Sequence, residues 1–308
     1  MRLLIAGAHG MLGADVARAA ARAGWETTAL GRSELDITDA DALARAFERF
    51  EPQAAVNCAA WTDVDGAESH RVQAHALNAD GAGNIARAAA TAGAALVHIS
   101  TDYVFSGEAP LDGAGARRPY VESDPVGPRT AYGETKLAGE RQVLAASPAH
   151  AVVRTAWLFG VDGHNFAATM LRLAAERRAA AEEHAAAGEN AGGESGGAVP
   201  ALRVVADEIG CPTWTGHLAP ALIGLIERGV GGVIHLAGGG RVSWNGYARE
   251  IFRQAEVECV VAEATTEEMA RPAPRPAWSA LESERADVLP MPPWQDGVAG
   301  YLAALGMG

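Results

Sequence analysis

Short apolar runs alternate with longer amphipathic stretches through the first half of the chain. The apolar runs, each bounded by turn or polar residues, are Leu3–Ala6, Thr27–Leu30, Ala54–Asn57, Leu96–Ser100 and Val152–Thr155. The stretches between them have the spacing of helices and cover residues 11–24, 39–50, 71–92 and 131–146. Buried strands that alternate with helices of this length predict an α/β fold built on a doubly wound parallel sheet.

The regular alternation ends at about residue 160. Residues 165–178 predict a helix that runs into a low-complexity stretch, Ala179–Val199, which is rich in Ala, Glu and Gly and contains no Phe, Tyr or Trp. A segment so poor in bulky apolar side chains cannot bury enough surface to fix its own fold, and we interpret it as a mobile surface insertion. Further strand-like runs and helical stretches follow at Leu202–Val205, 217–228, Val233–Leu236 and 244–256.

Composition and charge then narrow the range of partners. The 308-residue chain carries 38 acidic and 25 basic residues, and its net charge of -13 argues against nucleic acid as the main partner. No run approaches the roughly 18–20 apolar residues of a membrane span, so we expect no membrane association. Cys58, Cys211 and Cys259 show neither disulfide nor metal-ligand spacing, which favours a cytoplasmic location. The nine His residues show no zinc-ligand pattern, and we expect no metal.

The first predicted strand leads directly into a glycine-rich turn of the form GxxGxxG. Glycines at this position let the backbone approach a pyrophosphate closely, and the N-terminus of the following helix favours its negative charge. We therefore expect a dinucleotide cofactor here. Its candidate contacts are Gly7, His9, Gly10, Met11, Leu12 and Gly13.

Arg32, just after the second predicted strand, favours NADPH over NADH as the cofactor. Sites for NAD usually place an acidic residue here for the ribose 2′-hydroxyl, whereas an arginine can pair with a 2′-phosphate. A solvated surface arginine is the alternative interpretation, and NADH stays open. Asp36 and Ile37 follow closely and could line the adenine pocket. The small residues after the third strand, where the cofactor could pass closely, include Ala59, Ala60 and Thr62.

These observations divide the chain into two parts. We expect a Rossmann dinucleotide-binding domain over residues 1–160, to which the chain partly returns later. Residues 161–308 are expected to form mainly a smaller C-terminal α/β lobe that binds the substrate and carries the insertion at 179–199.

Tyr132 and Lys136 begin a predicted helix and lie four residues apart, so their side chains share one helical face. A nearby ammonium is expected to lower the pKa of the phenol, which could then donate a proton to a forming alkoxide. Tyr-x-x-x-Lys also occurs by chance. Lys136 is, however, the only lysine among 25 basic residues, and the bulky planar fork of arginine is a poor substitute for a compact ammonium.

Two polar side chains are candidates for roles beside this pair. Thr101 ends the fourth predicted strand, whose carboxyl end faces the ligand crevice of a doubly wound sheet, and could polarise a substrate carbonyl. Asn78 lies in the preceding predicted helix, where it could either bend the helix or support the site.

Longer motifs carry a resemblance to a known family. The glycine turn, Asn57-x-Ala-Ala, Ser100-Thr-Asp-Tyr-Val-Phe and Tyr132-Gly-Glu-Thr-Lys-Leu-Ala-Gly-Glu resemble the extended short-chain dehydrogenase/reductases. The chain is similar, more narrowly, to their dTDP-4-dehydrorhamnose reductase branch. The motifs of that branch are Arg154-Thr-Ala-Trp, Asn165-Phe-Ala, Asp207-Glu-Ile-Gly-Cys-Pro-Thr and Arg275-Pro-Ala-Trp-Ser-Ala-Leu, so the resemblance covers nearly the whole chain.

The resemblance implies reduction of the 4-keto group of dTDP-4-dehydro-L-rhamnose by NAD(P)H, which gives dTDP-L-rhamnose. It implies Thr101, Tyr132 and Lys136 as the catalytic residues. The substrate contacts expected with it are Thr101, Asp102, Phe105, Trp157, Asn165 and Arg275. It also leaves a homodimer open. Some members dimerise through Mg²⁺ held by glutamates, but the shorter Asp15 stands here at one such position, and we expect no metal.

Departures from the pattern of this branch keep two alternatives open. Glu208 replaces a glutamine, Trp278 stands at an asparagine position, and the insertion at 179–199 is longer than family members carry. These differences favour, as the first alternative, a reductase of another dTDP-4-keto-6-deoxysugar of specialised metabolism. The second alternative is a cofactor-binding regulatory subunit without catalytic activity, and the intact catalytic residues argue against it.

Overall fold

The computed structural model describes residues 1–186 and 201–307, which form a six-stranded parallel sheet, helices on both of its faces and a set of smaller strand pairs. The strands are β1 (Arg2–Ala6), β2 (Glu26–Leu30), β3 (Ala54–Asn57), β4 (Ala95–Thr101), β5 (Ala151–Thr155), β6 (Leu158–Phe159), β7 (Leu202–Val205), β8 (Ile209–Gly210), β9 (Thr213–Trp214), β10 (Gly232–His235), β11 (Val242–Ser243) and β12 (Val261–Ala264). The α-helices are α1 (Met11–Arg22), α2 (Ala40–Phe50), α3 (Val64–Ser69), α4 (Arg71–His75), α5 (Ala82–Thr91), α6 (Ala131–Ala146), α7 (Phe166–Ala186), α8 (Thr215–Arg228), α9 (Trp244–Gln254), α10 (Thr266–Met269) and α11 (Trp294–Ala304).

The main sheet has the strand order β10-β5-β4-β3-β1-β2, and all of its pairs are parallel. The doubly wound parallel sheet predicted from the alternation of apolar runs and helices is therefore confirmed. Because β2 and β3 lie on opposite sides of β1, the connections reverse direction there, and a crevice opens at the carboxyl ends of the strands. The last strand, β10, comes from the final third of the chain and pairs with β5.

Alternate residues of β1 enter two different cores, as expected for a strand covered on both faces. Leu3 and Ile5 pack in one cluster with α1 and α8, whereas Leu4 and Ala6 pack in another with α2, α5 and α6. A third cluster lies outside the sheet, where Phe159, Tyr247 and Trp294 join α7, α9 and α11. The two large cores hold the sheet rigid beneath the crevice.

Two predictions for the helices need correction or addition. The helix predicted to end near Arg178 continues as α7 to Ala186, so the first part of the predicted insertion is helical, and its remainder, 187–199, lies outside the described residues. The helix predicted over 71–92 is interrupted by a π-helical segment, Ala76–Gly81, between α4 and α5. No helix in residues 1–186 or 201–307 is long and apolar enough to cross a membrane.

Asn78 in the π-helical segment ties three parts of the fold together. Its side chain accepts a hydrogen bond from the Trp61 backbone N–H at 2.8 Å and donates to the Trp61 carbonyl at 3.2 Å. It also donates to Thr135 Oγ1 on α6 at 3.1 Å. Asn78 therefore fixes the loop after β3 against the helix that carries Tyr132 and Lys136.

A buried ion pair holds α6 against the sheet. Glu140 accepts hydrogen bonds from Arg154 of β5 through both carboxylate oxygens, at 3.0 and 2.8 Å. The Ser100 hydroxyl of β4 donates to the same carboxylate at 2.6 Å. All three side chains are buried, so the charges are compensated by each other rather than by water.

Replacing Glu140 with alanine should lower the free energy of unfolding by about 3–5 kcal/mol, because Arg154 would be left as an unpaired buried cation. Urea denaturation of the two proteins measures the difference. Glu134→Ala on the exposed face of the same helix is the matched control, and its surface ion pair with Arg71 should contribute no more than about 1 kcal/mol. Equal losses in the two variants would contradict the anchoring role of Glu140.

Candidate active site

The glycine turn between β1 and α1 is too tight for side chains. Gly7 has a φ of 75°, and a Cβ there would lie 2.6 Å from the Ala59 backbone nitrogen. A Cβ on Gly13 would lie 2.3 Å from the Gly7 carbonyl oxygen. Helix α1 begins at Met11 with no side-chain cap at Gly10 and no acidic residue in its first turn. The backbone N–H groups of the first turn of α1 are thus available to an anion, which fits the phosphates of a dinucleotide.

One basic and two acidic side chains follow β2 near this turn. Arg32 is exposed and forms no ion pair within the described parts of the chain. Glu34, which sequence reasoning did not single out, accepts a hydrogen bond from Gly31 N at 2.8 Å and lies 3.5 Å from His9 Nε2. Asp36 accepts two hydrogen bonds from Thr38, which lower the pKa of its carboxyl together with the charge of Arg32. The Arg32 guanidinium is available to bind a ligand, whereas the Glu34 carboxylate already accepts a hydrogen bond from the backbone.

The remaining predicted cofactor residues differ in burial. Leu12 and Ile37 are buried in the two cores on opposite faces of the sheet. Ala59 and Ala60 are half-buried after β3, and Thr62 is exposed. The close approach of the Ala59 backbone to Gly7 explains why residue 7 has no side chain.

Thr101, Tyr132 and Lys136 come together at the carboxyl end of β4. Helix α6 begins beside this strand end, with Thr130 as its N-cap accepting a hydrogen bond from Gly133 N at 3.0 Å. A Cβ on Gly133 would lie 2.2 Å from the Tyr103 carbonyl oxygen, so only glycine lets α6 lie this close to the turn after β4. The Thr101 hydroxyl lies beside the Tyr132 phenol as a result, where it lowers the pKa of the phenol in part.

The Tyr132 phenol holds its proton more tightly than the sequence suggested. Burial raises its pKa to about 12, and the neighbouring Thr101 hydroxyl offsets only part of this effect. The expected lowering of the pKa of Tyr132 by Lys136 is therefore wrong for this arrangement. The reason is the direction of the lysine side chain, which turns toward the backbone of β4.

Lys136 is buried on the sheet side of α6. Its ammonium donates a 2.6 Å hydrogen bond to the Ile99 carbonyl oxygen and lies 3.4 Å from His98 Nε2. Burial lowers the pKa of Lys136 to about 8, although the negative charge of Glu140 raises it in part. A lysine at this position can lose its proton close to neutral pH, which an arginine could not do.

Asp102 lies directly beside the candidate catalytic threonine. The Thr101 hydroxyl donates to Asp102 Oδ1 at 2.9 Å and accepts a hydrogen bond from Tyr103 N at 3.2 Å. Burial raises the pKa of Asp102 to about 6, and the hydroxyl groups of Ser279 and Thr101 partly offset this rise. The carboxyl group therefore orients the Thr101 hydroxyl and changes its protonation state in mildly acidic solution.

Two residues predicted to contact substrate are used in packing. The Phe105 ring stacks on Tyr120 with 4.1 Å between ring centroids and lies under the Arg154 guanidinium. The Asn165 side chain accepts a hydrogen bond from Ala168 N at 2.9 Å and donates to the Gly160 carbonyl at 2.8 Å, which places it at the start of α7.

Trp157 and Arg275 are held by partners that sequence reasoning missed. Trp157 has a φ of 48° and stacks on Trp244 with ring centroids 3.5 Å apart. Arg275 donates to both carboxylate oxygens of Asp65, at 3.0 and 2.8 Å, and so connects the C-terminal segment to α3. No sequence motif linked either pair, because each joins distant parts of the chain.

The residues at the two departures from the family pattern are buried. Glu208 accepts hydrogen bonds from Trp244 Nε1 at 2.9 Å and from the Thr266 hydroxyl at 3.0 Å, and burial raises the pKa of its carboxyl. Trp278 donates through Nε1 to the Arg118 carbonyl at 3.0 Å. Glu208 is thus connected to the Trp157–Trp244 stack.

Comparison with known proteins extends over nearly the whole chain. The family model described as "RmlD substrate binding domain" matches residues 1–182 and 196–307. A dTDP-4-dehydrorhamnose reductase of Mycobacterium tuberculosis is 42% identical over 98% of this chain and 93% of its own. A probable dTDP-4,6-dihydroxy-2-methyloxan-3-one 4-ketoreductase of Streptomyces antibioticus is 39% identical over 97% of this chain and 93% of its own. The solved structure of a Bacillus anthracis dTDP-4-dehydrorhamnose reductase in complex with NADP has a TM-score of 0.87 and 33% identity, covering 98% of this chain and 99% of its own.

The raised pKa of Asp102 should make its contribution to stability depend on pH. Its pKa is higher in the folded protein than in the unfolded chain, so its stabilising effect is complete at low pH and is lost as the pH rises through about 6. The free energy of unfolding of the wild type should therefore fall, relative to Asp102→Asn, by about 2 kcal/mol between about pH 4.5 and pH 8. Urea denaturation at both pH values measures this change.

The control is Asp41→Asn on α2. Asp41 is exposed to water in the folded protein as in the unfolded chain, so its replacement should leave the pH dependence of the free energy of unfolding unchanged. A pH-independent difference between the wild type and Asp102→Asn would show that Asp102 ionises normally in the folded protein.

Proposed function

Because the chain belongs to the dTDP-4-dehydrorhamnose reductase family, we propose that Thr101, Tyr132 and Lys136 carry out the reaction of that family. The protein is an oxidoreductase that uses NADP and reduces the 4-keto group of dTDP-4-dehydro-L-rhamnose to give dTDP-L-rhamnose. The observation that supports the residue assignment is that Tyr132 lies beside Thr101 while Lys136 bonds the Ile99 carbonyl, both toward the carboxyl end of β4. No other cluster in the described structure joins a phenol, a hydroxyl and a buried amine in this way.

The glycine turn and Arg32 would hold the cofactor. The N–H groups at the start of α1 would bind its pyrophosphate, and the exposed guanidinium of Arg32 would bind a 2′-phosphate. When bound, the reduced nicotinamide supplies the hydride for the carbonyl carbon. The side chains of this chain then have to orient the carbonyl group and deliver a proton to its oxygen.

Tyr132 is proposed as the proton donor. Its pKa of about 12 keeps the phenol protonated at neutral pH, yet the phenol remains more acidic than the alkoxide-derived hydroxyl that forms. Thr101, which lies beside Tyr132, would turn its single hydroxyl hydrogen from Asp102 to the same carbonyl oxygen and stabilise the developing negative charge. Asp102 would hold that hydrogen until substrate binds.

Lys136 is proposed to bind the ribose hydroxyls next to the nicotinamide and to support Tyr132. Its position one helical turn after the tyrosine favours this role, as does its burial with only one strong hydrogen-bond acceptor, the Ile99 carbonyl. Of the predicted substrate contacts, Trp157 offers a half-buried aromatic face, whereas the charge of Arg275 is paired with Asp65.

A second candidate substrate is another dTDP-4-keto-6-deoxysugar. Glu208 places a carboxyl group with a raised pKa on the Trp157–Trp244 stack, where the family pattern has a glutamine, and a relative named as a probable 4-ketoreductase of a different sugar is 39% identical. A regulatory subunit without activity is less well supported, because Thr101, Tyr132 and Lys136 are all present and adjoining.

We also propose that the protein is located in the cytoplasm. The family resemblance leads us to propose that it forms a homodimer. The three cysteines are free thiols, and burial raises the pKa of Cys58 and Cys211 to about 12, so both thiols stay protonated at neutral pH. The net charge of -13 favours partners other than nucleic acid.

The assignment of the substrate is tested by following NADPH oxidation with a panel of dTDP-4-keto-6-deoxysugars. We expect the highest kcat/KM with dTDP-4-dehydro-L-rhamnose. A higher value for another sugar would move the assignment to the second candidate. The absence of turnover with every sugar would favour the regulatory subunit.

Tyr132→Phe should lower kcat by about 10²–10⁴-fold, because it removes the proton donor and leaves the ring in place. Binding of NADPH, measured by fluorescence titration, should be nearly unchanged. Tyr103→Phe is the control, since that phenol packs edge-to-face against Tyr132 and its loss should have a much smaller effect. Turnover at the wild-type rate in Tyr132→Phe would refute the assignment.

Arg32→Ala should raise the KM for NADPH by about 10–100-fold, because a charge-assisted hydrogen bond to the 2′-phosphate is lost. The KM for NADH should change little, so the preference for NADPH over NADH decreases. Arg45→Ala removes another exposed arginine, on α2, and should leave both values unchanged. If NADH is the better cofactor of the wild type, Arg32 does not bind a 2′-phosphate.

A further inference from the structure

Three buried polar side chains from three elements form a line that ends at Lys136. Asn57 is the last residue of β3, and it is paired in register with His98 of β4. Asn57 Oδ1 accepts a hydrogen bond from Ala59 N at 3.0 Å, and its Nδ2 lies 3.1 Å from His98 Nδ1. His98 Nε2 lies 3.4 Å from Lys136 Nζ. All three side chains are almost completely buried.

The hydrogen bonds in this line determine which nitrogen of His98 carries a proton. Because the Ala59 N–H occupies the amide oxygen of Asn57, the amide presents its N–H group to His98 Nδ1, which must act as an acceptor. Burial and the charge of Lys136 lower the pKa of His98 well below 6.5, so the ring is neutral at physiological pH. A neutral ring that accepts at Nδ1 carries its proton on Nε2, the nitrogen that faces Lys136.

An N–H group that faces an amino group favours one protonation state over the other. A neutral amine has a lone pair that can accept this hydrogen, whereas an ammonium presents only hydrogens to it. The Ile99 carbonyl accepts an N–H from either form. The other titratable groups around Lys136 are Tyr132, Cys58 and Glu140, and the negative charge of Glu140 is shared with Arg154.

We propose that Asn57 fixes the tautomer of His98 and that His98 then favours the uncharged amine of Lys136, which makes both of them positioning residues for the reaction. The proposal rests on the role assigned to Lys136 above. After Tyr132 has given its proton to the sugar oxygen, a proton released by the Lys136 ammonium can reach the phenolate through solvent molecules between the two groups. The resulting amine accepts the Nε2–H of His98, and a proton from solvent later restores the ammonium.

The single lysine of the chain makes a direct test available. Protein grown with [13C]lysine and purified without a lysine-containing tag has one labelled Cε, whose NMR shift reports the ionisation of Lys136 as the pH is raised. The wild type should titrate with a pKa of about 8. In Asn57→Leu the ring proton is free to move to Nδ1, so that Nε2 can accept from the ammonium, and the pKa should rise by about one unit. Asn57→Asp should raise it further, because the carboxylate takes the Nδ1–H and adds a negative charge.

Nitrogen chemical shifts of His98 provide a second measurement that a structural role alone would not change. The wild-type ring should be the Nε2–H tautomer, and both Asn57 variants should shift it toward the Nδ1–H form. Asn245→Leu removes a buried amide of the other lobe, bonded to the Val204 and Ala262 carbonyls, and should leave Lys136 and His98 unchanged.

The proposal is overturned if the wild-type ring is the Nδ1–H tautomer. It is also overturned if the two Asn57 variants, folded by circular dichroism, titrate at Lys136 as the wild type does. These measurements need neither cofactor nor substrate. If the pKa of Lys136 shifts in the Asn57 variants but the wild type reduces no keto sugar, the proposed function is refuted and this inference remains intact.

Discussion

The active site depends on how closely α6 lies against β4 and β5. Gly133 makes this approach sterically feasible, since a Cβ there would lie 2.2 Å from the Tyr103 carbonyl oxygen just after β4. On another side of the helix, a Cβ on Gly139 would lie 2.1 Å from the Asn78 carbonyl oxygen of the π-helical segment. The buried contacts of Glu140 with Arg154 and Ser100 then fix the helix in register with the strands. Tyr132 and Lys136 meet Thr101 and Ile99 because of this docking, and a helix only slightly further away would separate a proton donor from the hydroxyl beside it.

The same close packing determines the protonation states at the site. Burial raises the pKa of Tyr132 and of Asp102 and lowers that of Lys136, which favours the uncharged form of each group. A neutral phenol is the form that a proton donor needs. An amine that titrates near neutral pH can take part in returning the proton, whereas a lysine in water would stay charged. The cost of burying these polar groups is thus linked to the chemistry they perform.

The sequence predicts the parts of the molecule that depend on local spacing. Apolar runs bounded by turns identified the strands of the parallel sheet, and the three glycines after β1 indicated a phosphate-binding turn. The four-residue spacing of Tyr132 and Lys136, with the only lysine of the chain, indicated the pair that we propose as catalytic. Each of these signals lies within a short segment whose geometry follows from backbone rules.

Features that depend on tertiary packing could not be predicted in this way. Arg275 and Asp65 are 210 residues apart, and the Trp157–Trp244 stack depends on the folding of the second lobe. The direction of the pKa shift of Tyr132 was wrong from sequence, because helical spacing places Lys136 on the same face and does not show that its ammonium turns to Ile99. The line from Asn57 through His98 to Lys136 also needed the register of β3 and β4.

The central claim is that this site transfers hydride to the 4-keto carbon of a dTDP-sugar while a side chain protonates the oxygen. A single turnover with NADPH that carries deuterium at the transferable C4 position, followed by NMR of the sugar product, tests it most directly. The account predicts one deuterium at C4 of the product, with the new hydroxyl proton derived from solvent-exchangeable groups. Deuterium at another carbon, or NADPH left unconsumed beside a bound keto sugar, would contradict it.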